Sequence, residues 1–229
     1  AYGAPYISGK DSLNNEYTDT ATKQQVSIPH SLLISALGLV PDVRHTCTMD
    51  LKAAGNLLYL VGETRRELGG SYYYRLQGLV GNEAPGVAEA GPGSARAVHR
   101  AIAEGIAQSC HDCSEGGLAV AIAEMALAGN LGAEIALDGV PASGEAPRAA
   151  DWLLYSESNG RYILEVDPER ATDVETALAQ TPHACIGRVL SQPVLTVKGG
   201  SDEEELFSIA VPALRQAWRG HLDQDEAAV

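Results

Sequence analysis

The sequence predicts an α+β or α/β sandwich, in which helices alternate with short buried strands. Two segments, Ser94–Gln108 and Gly117–Gly129, carry apolar residues at helical spacing. Leu57–Val61 is a short apolar run that ends at a glycine, which is typical of a buried strand. Arg161–Val166 alternates between apolar and polar residues in the manner of a half-buried strand.

The remaining elements follow from the same two periodicities. Pro168–Gln180 is predicted as a helix with proline in its first turn, and Val211–Arg219 as a final helix. Asn82–Gly93 is rich in proline and glycine and indicates a connection. The other predicted strands are Ala4–Ile7, Ser27–Asp42, Glu134–Leu137, Ile186–Leu190 and Val194–Val197, and Tyr72–Tyr74 is also β-prone.

The chain of 229 residues has room for one large or two modest domains. We interpret residues 1–43 as the tail of a truncated sheet-pairing domain, 44–220 as a C-terminal α/β domain and 221–229 as an acidic tail. A polar loop almost at the first residue suggests that the first part of a larger protein is missing. Strand edges in 1–43 without their sheet should seek a partner, so we expect self-association through this segment.

Composition narrows the classes of function. Asp and Glu number 30 against 16 Lys and Arg, a net charge of −14 without a basic stripe, which disfavours nucleic acid and anionic membranes as partners. The longest apolar stretches are much shorter than the roughly 20 residues of a membrane span, and the first residues do not read as a signal peptide. Four cysteines do not make a disulfide framework at this length, which favours a cytoplasmic protein.

The most informative motif is the polar turn Ser8–Glu16. Gly9 allows a ligand to approach the backbone, and Lys10 can offset phosphate charge. Asp11 offers a carboxylate suited to magnesium, and Ser12 can donate to a phosphate oxygen. A solvent-exposed turn without a ligand is an equal alternative on spacing alone.

A second motif, Cys110–Gly117, leads directly into the second helix. Ser114 is a good N-cap, and Gly116 and Gly117 would leave backbone N–H groups uncovered at a helix N-terminus, where an anion is favoured. His111 and Asp112 precede them at the end of a short strand. Ordinary capping is the alternative for the whole motif. The Cys-x-x-Cys pair within it is better explained as two small buried thiols than as a metal or redox site.

A third polar cluster, Tyr155–Arg161, lies between a helical segment and a strand. Glu157 and Ser158 in it offer a carboxylate and a hydroxyl to a sugar or amide substrate, although a turn needs no function. Glu67–Ser71 is a weaker, fourth candidate.

Taken together, these motifs resemble phosphoribosylformylglycinamidine synthase, of the aminoimidazole ribonucleotide synthetase-like superfamily. The resemblance spans most of the chain, because five blocks occur in the family's order. The blocks are Gly3–Glu16, Thr48–Lys52, Glu67–Ser71, His111–Met125 and Ser156–Arg161.

The resemblance implies a C-terminal domain of that fold preceded by the last strands of a β-rich domain. The family joins formylglycinamide ribonucleotide, ATP and glutamine-derived ammonia into formylglycinamidine ribonucleotide, ADP and phosphate, through an iminophosphate that ammonia displaces. Nucleotide and Mg²⁺ are thus the implied ligands, and the N-terminal synthetase half and a glutaminase the implied partners. The family's catalytic histidines lie in that other half, so no catalytic residue is expected here and the fragment should be incomplete for catalysis alone.

The resemblance also assigns roles within the chain. Gly9 matches a glycine that contacts nucleotide, and Ser12 a serine that contacts substrate. Lys10 stands where many members have a magnesium-binding asparagine, and because lysine cannot ligate the metal, Asp11 is the expected ligand. The segments carrying His111, Asp112, Glu157 and Ser158 match those that line the cleft between paired domains, which in this second unit is either active or auxiliary.

Two other readings stay open. One is a non-catalytic nucleotide-binding or assembly module of the same superfamily, which would bind magnesium-ADP without turnover. The other is an α/β domain whose motifs serve only capping and turns.

Overall fold

A computed structural model describes residues 2–10, 15–27, 32–144, 149–199 and 204–225, with the last five as helix backbone only. The chain divides into two compact units, Ala1–Val43 and Arg44–Val229.

The first unit contains a small antiparallel hairpin of β1 (Glu16–Thr18) and β2 (Gln25–Ser27). The predicted strand Ala4–Ile7 is wrong, and so is the described part of Ser27–Asp42 beyond β2, because these stretches have no ladder partner. Their apolar side chains are exposed, as at Leu33. A strand needs a neighbour for its backbone hydrogen bonds, and the described residues of this unit supply none.

The second unit is built on a seven-stranded sheet with the order β4-β6-β3-β7-β5-β8-β9. Its strands are β3 (Leu57–Val61), β4 (Ala107–Asp112), β5 (Gly132–Ala136), β6 (Tyr162–Val166), β7 (His183–Leu190), β8 (Val194–Gly199) and β9 (Glu204–Ala210). Neighbouring strands are antiparallel except for β5 and β8, which are parallel. Strand β9 escaped the sequence analysis because its seven residues are mostly exposed and acidic at the start.

Six α-helices in the described ranges accompany the sheet. They are α1 (Tyr72–Leu76), α2 (Gly91–Ala103), α3 (Gly117–Gly129), α4 (Ala150–Tyr155), α5 (Ala171–Leu178) and α6 (Val211–Asp225). The predicted helices at α2, α3, α5 and α6 are confirmed, although α2 begins and ends earlier than expected. The β-prone Tyr72–Tyr74 is helical instead, because Ser71 Oγ caps the turn by accepting from the Tyr74 N–H (3.2 Å).

Apolar side chains cover both faces of the sheet. On one face Leu58, Leu60 and Ile163 join the core beneath α3 and α4. On the other face Tyr59 and Val61 join the core beneath α2 and α5. This is why Leu57–Val61 is apolar without alternation, and it confirms the predicted α/β class. None of the helices in the described ranges is long and apolar enough to cross a membrane.

Candidate functional site at one end of the sheet

The strand registers bring several polar segments to one end of the sheet. Val61, the last residue of β3, pairs with Tyr162 at the start of β6 and with His183 at the start of β7. Asp112, the last residue of β4, also pairs with Tyr162. The second and third sequence motifs therefore meet at the same end of the sheet.

Helices α2 and α3 both begin at this end. The Cα of Gly91, the first residue of α2, lies so close to Gly160 that a Cβ added there would be 3.0 Å away. Helix α3 begins at Gly117, just after β4. Each helix N-terminus carries partial positive charge, so this end of the sheet favours negatively charged groups.

His111 and Asp112 form a polar cluster with α3. His111 Nε2 lies 2.8 Å from Glu124 Oε2, and its Nδ1 lies 3.4 Å from Asp112 Oδ1. The Ser114 hydroxyl donates to Asp112 Oδ2. That hydrogen bond, with His111 beside it, lowers the pKa of Asp112 despite partial burial. Asp112 is thus an ionised, half-exposed carboxylate that can accept from a ligand or a hydrated cation.

The glycine pair is already occupied. The Gly116 N–H donates to Glu157 Oε1 (2.9 Å), and the Gly117 N–H to the Ser114 carbonyl (3.0 Å). The expectation of uncovered N–H groups is therefore wrong, since the Glu157 carboxylate is the anion at this N-terminus. The N-cap is Gly116, with φ 79°, and not Ser114.

Ser158 fastens two loops together. It is fully buried, and its Oγ accepts from the Arg65 N–H (2.9 Å) and donates to the Arg65 carbonyl (3.1 Å). Because both capacities of the hydroxyl are used, the loop before β6 is held against the loop after β3.

Arg161 reinforces the same junction from inside. Its side chain is buried, Nε donates to the Ser158 carbonyl (3.1 Å) and Nη1 to Thr64 Oγ1 (3.0 Å). Nη2 donates to the Ser156 carbonyl. Burial lowers the pKa of Arg161. The third motif therefore forms one side of the site, and internal hydrogen bonds hold it in position.

Glu67 adds a second carboxylate. Its Oε1 accepts from the Gly86 N–H (2.9 Å) and lies 3.2 Å from Arg65 Nε. Burial alone would raise the pKa of Glu67, but hydrogen bonds, the largest of them from the Gly86 N–H, lower it overall. Its buried Oε2 has no hydrogen-bond partner among the described residues.

Sequence reasoning missed the buried carboxylate of Glu165 in β6. It accepts from the N–H groups of Lys52 (2.8 Å to Oε2) and Ala53 (2.9 Å), from Asn56 Nδ2 (2.7 Å) and from Ser109 Oγ (2.9 Å). These bonds anchor the segment that leads into β3. A glutamate in an otherwise apolar strand was the signal that could have revealed it.

The Cys-x-x-Cys pair has no metal-binding surroundings. All four cysteines are free, and no group of three or more His, Cys, Asp or Glu in the described part of the chain could hold a metal ion. Burial raises the pKa of Cys110 to about 12 and of Cys113 to about 11. Two small buried thiols were predicted here; Cys113 is buried and Cys110 is partly buried.

The first motif lies in the other unit. Gly9 and Lys10 are described without regular secondary structure. Asp11 and Ser12, to which the sequence assigns metal and substrate, lie outside the described residues.

Comparison with known proteins identifies relatives over most of the chain. It is 39% identical over 220 residues to the phosphoribosylformylglycinamidine synthase subunit PurL of Moorella thermoacetica, covering 94% of this chain and 28% of the relative. The PurL subunit of Deinococcus radiodurans is 34% identical over 95% of this chain and 29% of its own length. The chain thus spans less than a third of the length of these curated relatives.

Solved structures share the fold. T. maritima PurL complexed with FGAR has a TM-score of 0.65 at 22% identity, with 75% of this chain and 30% of that chain covered. The hydrogenase maturation protein HypE has a TM-score of 0.51 at 20% identity, over 69% of this chain and 54% of that chain. The family model for the AIR synthase related protein, C-terminal domain, matches residues 53–200. The chain therefore belongs to the AIR synthase related proteins and carries their C-terminal domain.

Proposed function

We propose that this chain is the C-terminal part of a phosphoribosylformylglycinamidine synthase, an ATP-dependent carbon–nitrogen ligase of purine biosynthesis. The longer enzyme would join formylglycinamide ribonucleotide and ammonia at the expense of ATP. The PurL relatives at 39% and 34% identity support this proposal, as do the five ordered sequence blocks. In this proposal residues 1–43 are the end of a sheet-pairing domain, and the enzyme is cytoplasmic.

The chain's own contribution would be a nucleotide site at the described end of the sheet. The observation that carries it is the ionised Asp112 beside the N-terminus of α3. Solved structures of T. maritima PurL complexed with ATP and with ADP support nucleotide as the ligand class. Gly116, Gly117, Glu157 and Ser158 would shape the site rather than contact the phosphates, because their polar groups are engaged within the chain.

Magnesium fits this site as a partner of phosphate rather than as a protein-caged ion. Mg²⁺ usually takes one or two carboxylates and completes its shell with water and phosphate oxygens. Asp112 can supply one such carboxylate, and the phosphate charge would be offset by the bound magnesium. In the first unit, the family resemblance is the ground for proposing Asp11 as a magnesium ligand and Lys10 as a point cation for phosphate.

The proposed partners follow from the greater length of the PurL relatives, of which this chain spans less than a third. The N-terminal synthetase half would supply catalytic residues, and a glutaminase domain or subunit would supply ammonia. A solved structure named PurLQS from Thermotoga maritima supports partners for the family, at 22% identity to this chain.

A non-catalytic nucleotide-binding or assembly module is the second candidate. It is favoured by the engagement of most predicted site groups in internal hydrogen bonds, which suits a rigid scaffold better than a reacting centre. This module would bind magnesium-ADP and stabilise a partner half without turnover.

Isothermal titration calorimetry with magnesium-ADP tests the nucleotide site. We expect saturable binding to the full chain, weakened at least tenfold by Asp112→Asn because an ionised, half-exposed carboxylate beside the N-terminus of α3 is removed. Asp173→Asn is the matched control, because Asp173 lies in the first turn of α5, after β6 and so beyond the opposite end of the sheet. Absence of binding, or equal loss in both variants, would contradict the proposal. Binding without product formation once the synthetase half is supplied would favour the module.

A further inference from the structure

A cleft of about 430 Å³ opens beside α2 at the same end of the sheet. Its walls come from the residues after β3, the start of α2 and the loop before β6. Its lining includes Glu63, Arg65, Glu89, Gly91 and Ser94. A cleft of this volume is within the range of small-molecule sites. Of the predicted nucleotide-site residues that the structure describes, none lines it.

Ser94 supplies an unused hydroxyl in this wall. The residue is 1% exposed, and its Oγ has no hydrogen-bond partner in the described part of the chain. A buried hydroxyl without a partner is costly, so native proteins rarely keep one without a ligand or a water. Ser94 lines the cleft, so a ligand there can complete the hydrogen bond.

The first turn of α2 adds a second feature for an anion. The Gly91 N–H donates to the Ala88 carbonyl, and the Ser94 N–H to the Ala90 carbonyl. Pro92 has no N–H, and Gly93 lies in the first turn, where the helix itself provides no acceptor. The Gly93 N–H, the helix dipole and the Ser94 hydroxyl therefore favour an oxyanion at this point.

The charged side chains around the cleft limit which class of ligand can carry that oxyanion. The Arg65 guanidinium lies in the wall, but its Nε is 3.2 Å from Glu67 Oε1, which offsets its charge. Glu63 and Glu89 line the same cleft. A multiply charged anion such as a polyphosphate would be repelled by these two carboxylates, whereas an ammonium group would be attracted.

We propose that this cleft binds a free α-amino acid. Its carboxylate would lie at the N-terminus of α2, with Ser94 Oγ donating to it, and its ammonium group would face Glu63 and Glu89. The site is separate from the proposed nucleotide site, and the proposal does not depend on the synthase activity.

Heteronuclear NMR titration of the full chain tests this proposal, with L-alanine as probe. Acetate, methylammonium and inorganic phosphate serve as single-charge and anion-only comparisons. We expect saturable shifts of the Gly93 and Ser94 amides with L-alanine, in roughly the millimolar range expected of so small a ligand. Acetate and methylammonium should each bind at least tenfold more weakly.

Two variants identify the contacts. Ser94→Ala removes the unpartnered hydroxyl with little change of volume, so the fold should persist while L-alanine binding weakens at least fivefold. Glu63→Gln should weaken L-alanine but not acetate. Ser208→Ala, in β9, is the control and should change nothing in the titration. If phosphate binds more tightly than L-alanine, the proposal of a zwitterionic ligand is wrong. If L-alanine causes no shifts at all, the proposal also fails, and the Ser94 hydroxyl is hydrogen-bonded by water only.

Discussion

Arg161 joins two segments that are distant in the sequence, the loop before β6 and the residues after β3. Its guanidinium donates to the Ser156 and Ser158 carbonyls and to Thr64 Oγ1 while remaining 1% exposed. Glu165, four residues further along the chain, holds the segment before β3 by accepting hydrogen bonds from it. These two buried side chains hold the walls of the site in place because each makes at least three hydrogen bonds.

Replacing Arg161 should therefore be severe. Arg161→Met keeps much of the aliphatic stem but leaves three buried acceptors unpaired, so we expect a loss of about 3 kcal/mol or more in the free energy of unfolding. Urea denaturation monitored by circular dichroism measures it.

The control for this loss is Arg188→Met. Arg188 is also on a strand, but its side chain is 61% exposed and pairs with Glu134. We expect a change of about 1 kcal/mol or less there. Similar losses for the two arginines would contradict the bracing role of Arg161.

The cysteines make a second prediction at the residue scale. Burial raises the pKa of Cys110 to about 12 and of Cys113 to about 11, so at pH 8 their thiolate fractions are about 10⁻³ or less. Cys185 is exposed. Iodoacetamide followed by mass spectrometry should label Cys185 first in the native protein and all four cysteines in denaturant. Rapid native labelling of Cys110 would show that β4 opens.

Sequence reasoning located these residues better than it explained them. The Ser156–Arg161 motif stood out because it is polar between two apolar elements. Its bracing function depends on Thr64 and Arg65, more than ninety positions away, and no local pattern records that proximity. Glu165 was missed for the same reason, since its donors at Lys52 and Ala53 are also distant in sequence.

At the scale of elements, the start of α3 is fixed by close approach. A Cβ on Gly117 would lie 2.4 Å from the Ser156 carbonyl oxygen and 2.7 Å from that of Leu154. Gly117 also has φ 64°. Only glycine accommodates both the backbone conformation and the contact, so this residue sets how near α3 lies to the end of α4.

Comparing Gly117→Ala with Gly105→Ala should separate two losses of stability, one from the left-handed backbone conformation and one from the steric contact. Both positions have φ 64°, but an added Cβ at Gly105 meets nothing within 4 Å. We expect Gly105→Ala to cost about 1–2 kcal/mol for the left-handed conformation alone. Gly117→Ala should cost a further 1–3 kcal/mol or so, because the helix must move.

Thermal unfolding at matched concentration measures both variants. Equal melting temperatures would mean that the contact with Ser156 is easily relieved, and α3 would then not be fixed by it. The Gly116 N–H to Glu157 bond would be the remaining attachment at that end of the helix.

The elements show which kinds of pattern can be predicted. Helices α2 and α3 have clear periodicity, and β3 is apolar on both faces, so all three were predicted correctly. Tyr72–Tyr74 has strand propensity but follows the capping Ser71, and a local hydrogen bond decided the outcome. The apolar residues before Val43 resemble a strand, but in the described part of that segment they lack the neighbour that would make them one.

At the scale of the whole molecule, the apolar side chains before Val43 form an unusual exposed surface. Leu33, Leu37 and Leu39 are each more than nine-tenths exposed. Soluble domains rarely expose so many neighbouring large apolar side chains without a partner surface. In a longer synthase that partner would be another sheet-pairing domain.

Without that partner, the chain should associate with itself through this segment. Sedimentation velocity should give a mass above the 24.0 kDa of a single chain. The triple variant Leu33→Glu, Leu37→Glu, Leu39→Glu should return it to a monomer, because charges oppose apolar association.

The control adds the same three charges elsewhere in the unit. The control variant is Thr20→Glu, Ala21→Glu, Gln24→Glu. These residues lie in or beside the exposed hairpin turn, so the variant should leave the mass unchanged. A wild-type chain that stays monomeric at high concentration would contradict the prediction.

Synthase activity in a longer enzyme tests directly whether this chain is part of a phosphoribosylformylglycinamidine synthase. The segment of Moorella thermoacetica PurL that this chain matches, 28% of its length, would be replaced by this chain. Formation of formylglycinamidine ribonucleotide from formylglycinamide ribonucleotide, ATP and ammonia would then be measured. We predict activity well above that of the relative lacking the segment, and its loss with Asp112→Asn. A folded chimera that binds magnesium-ADP but makes no product would contradict the proposed synthase.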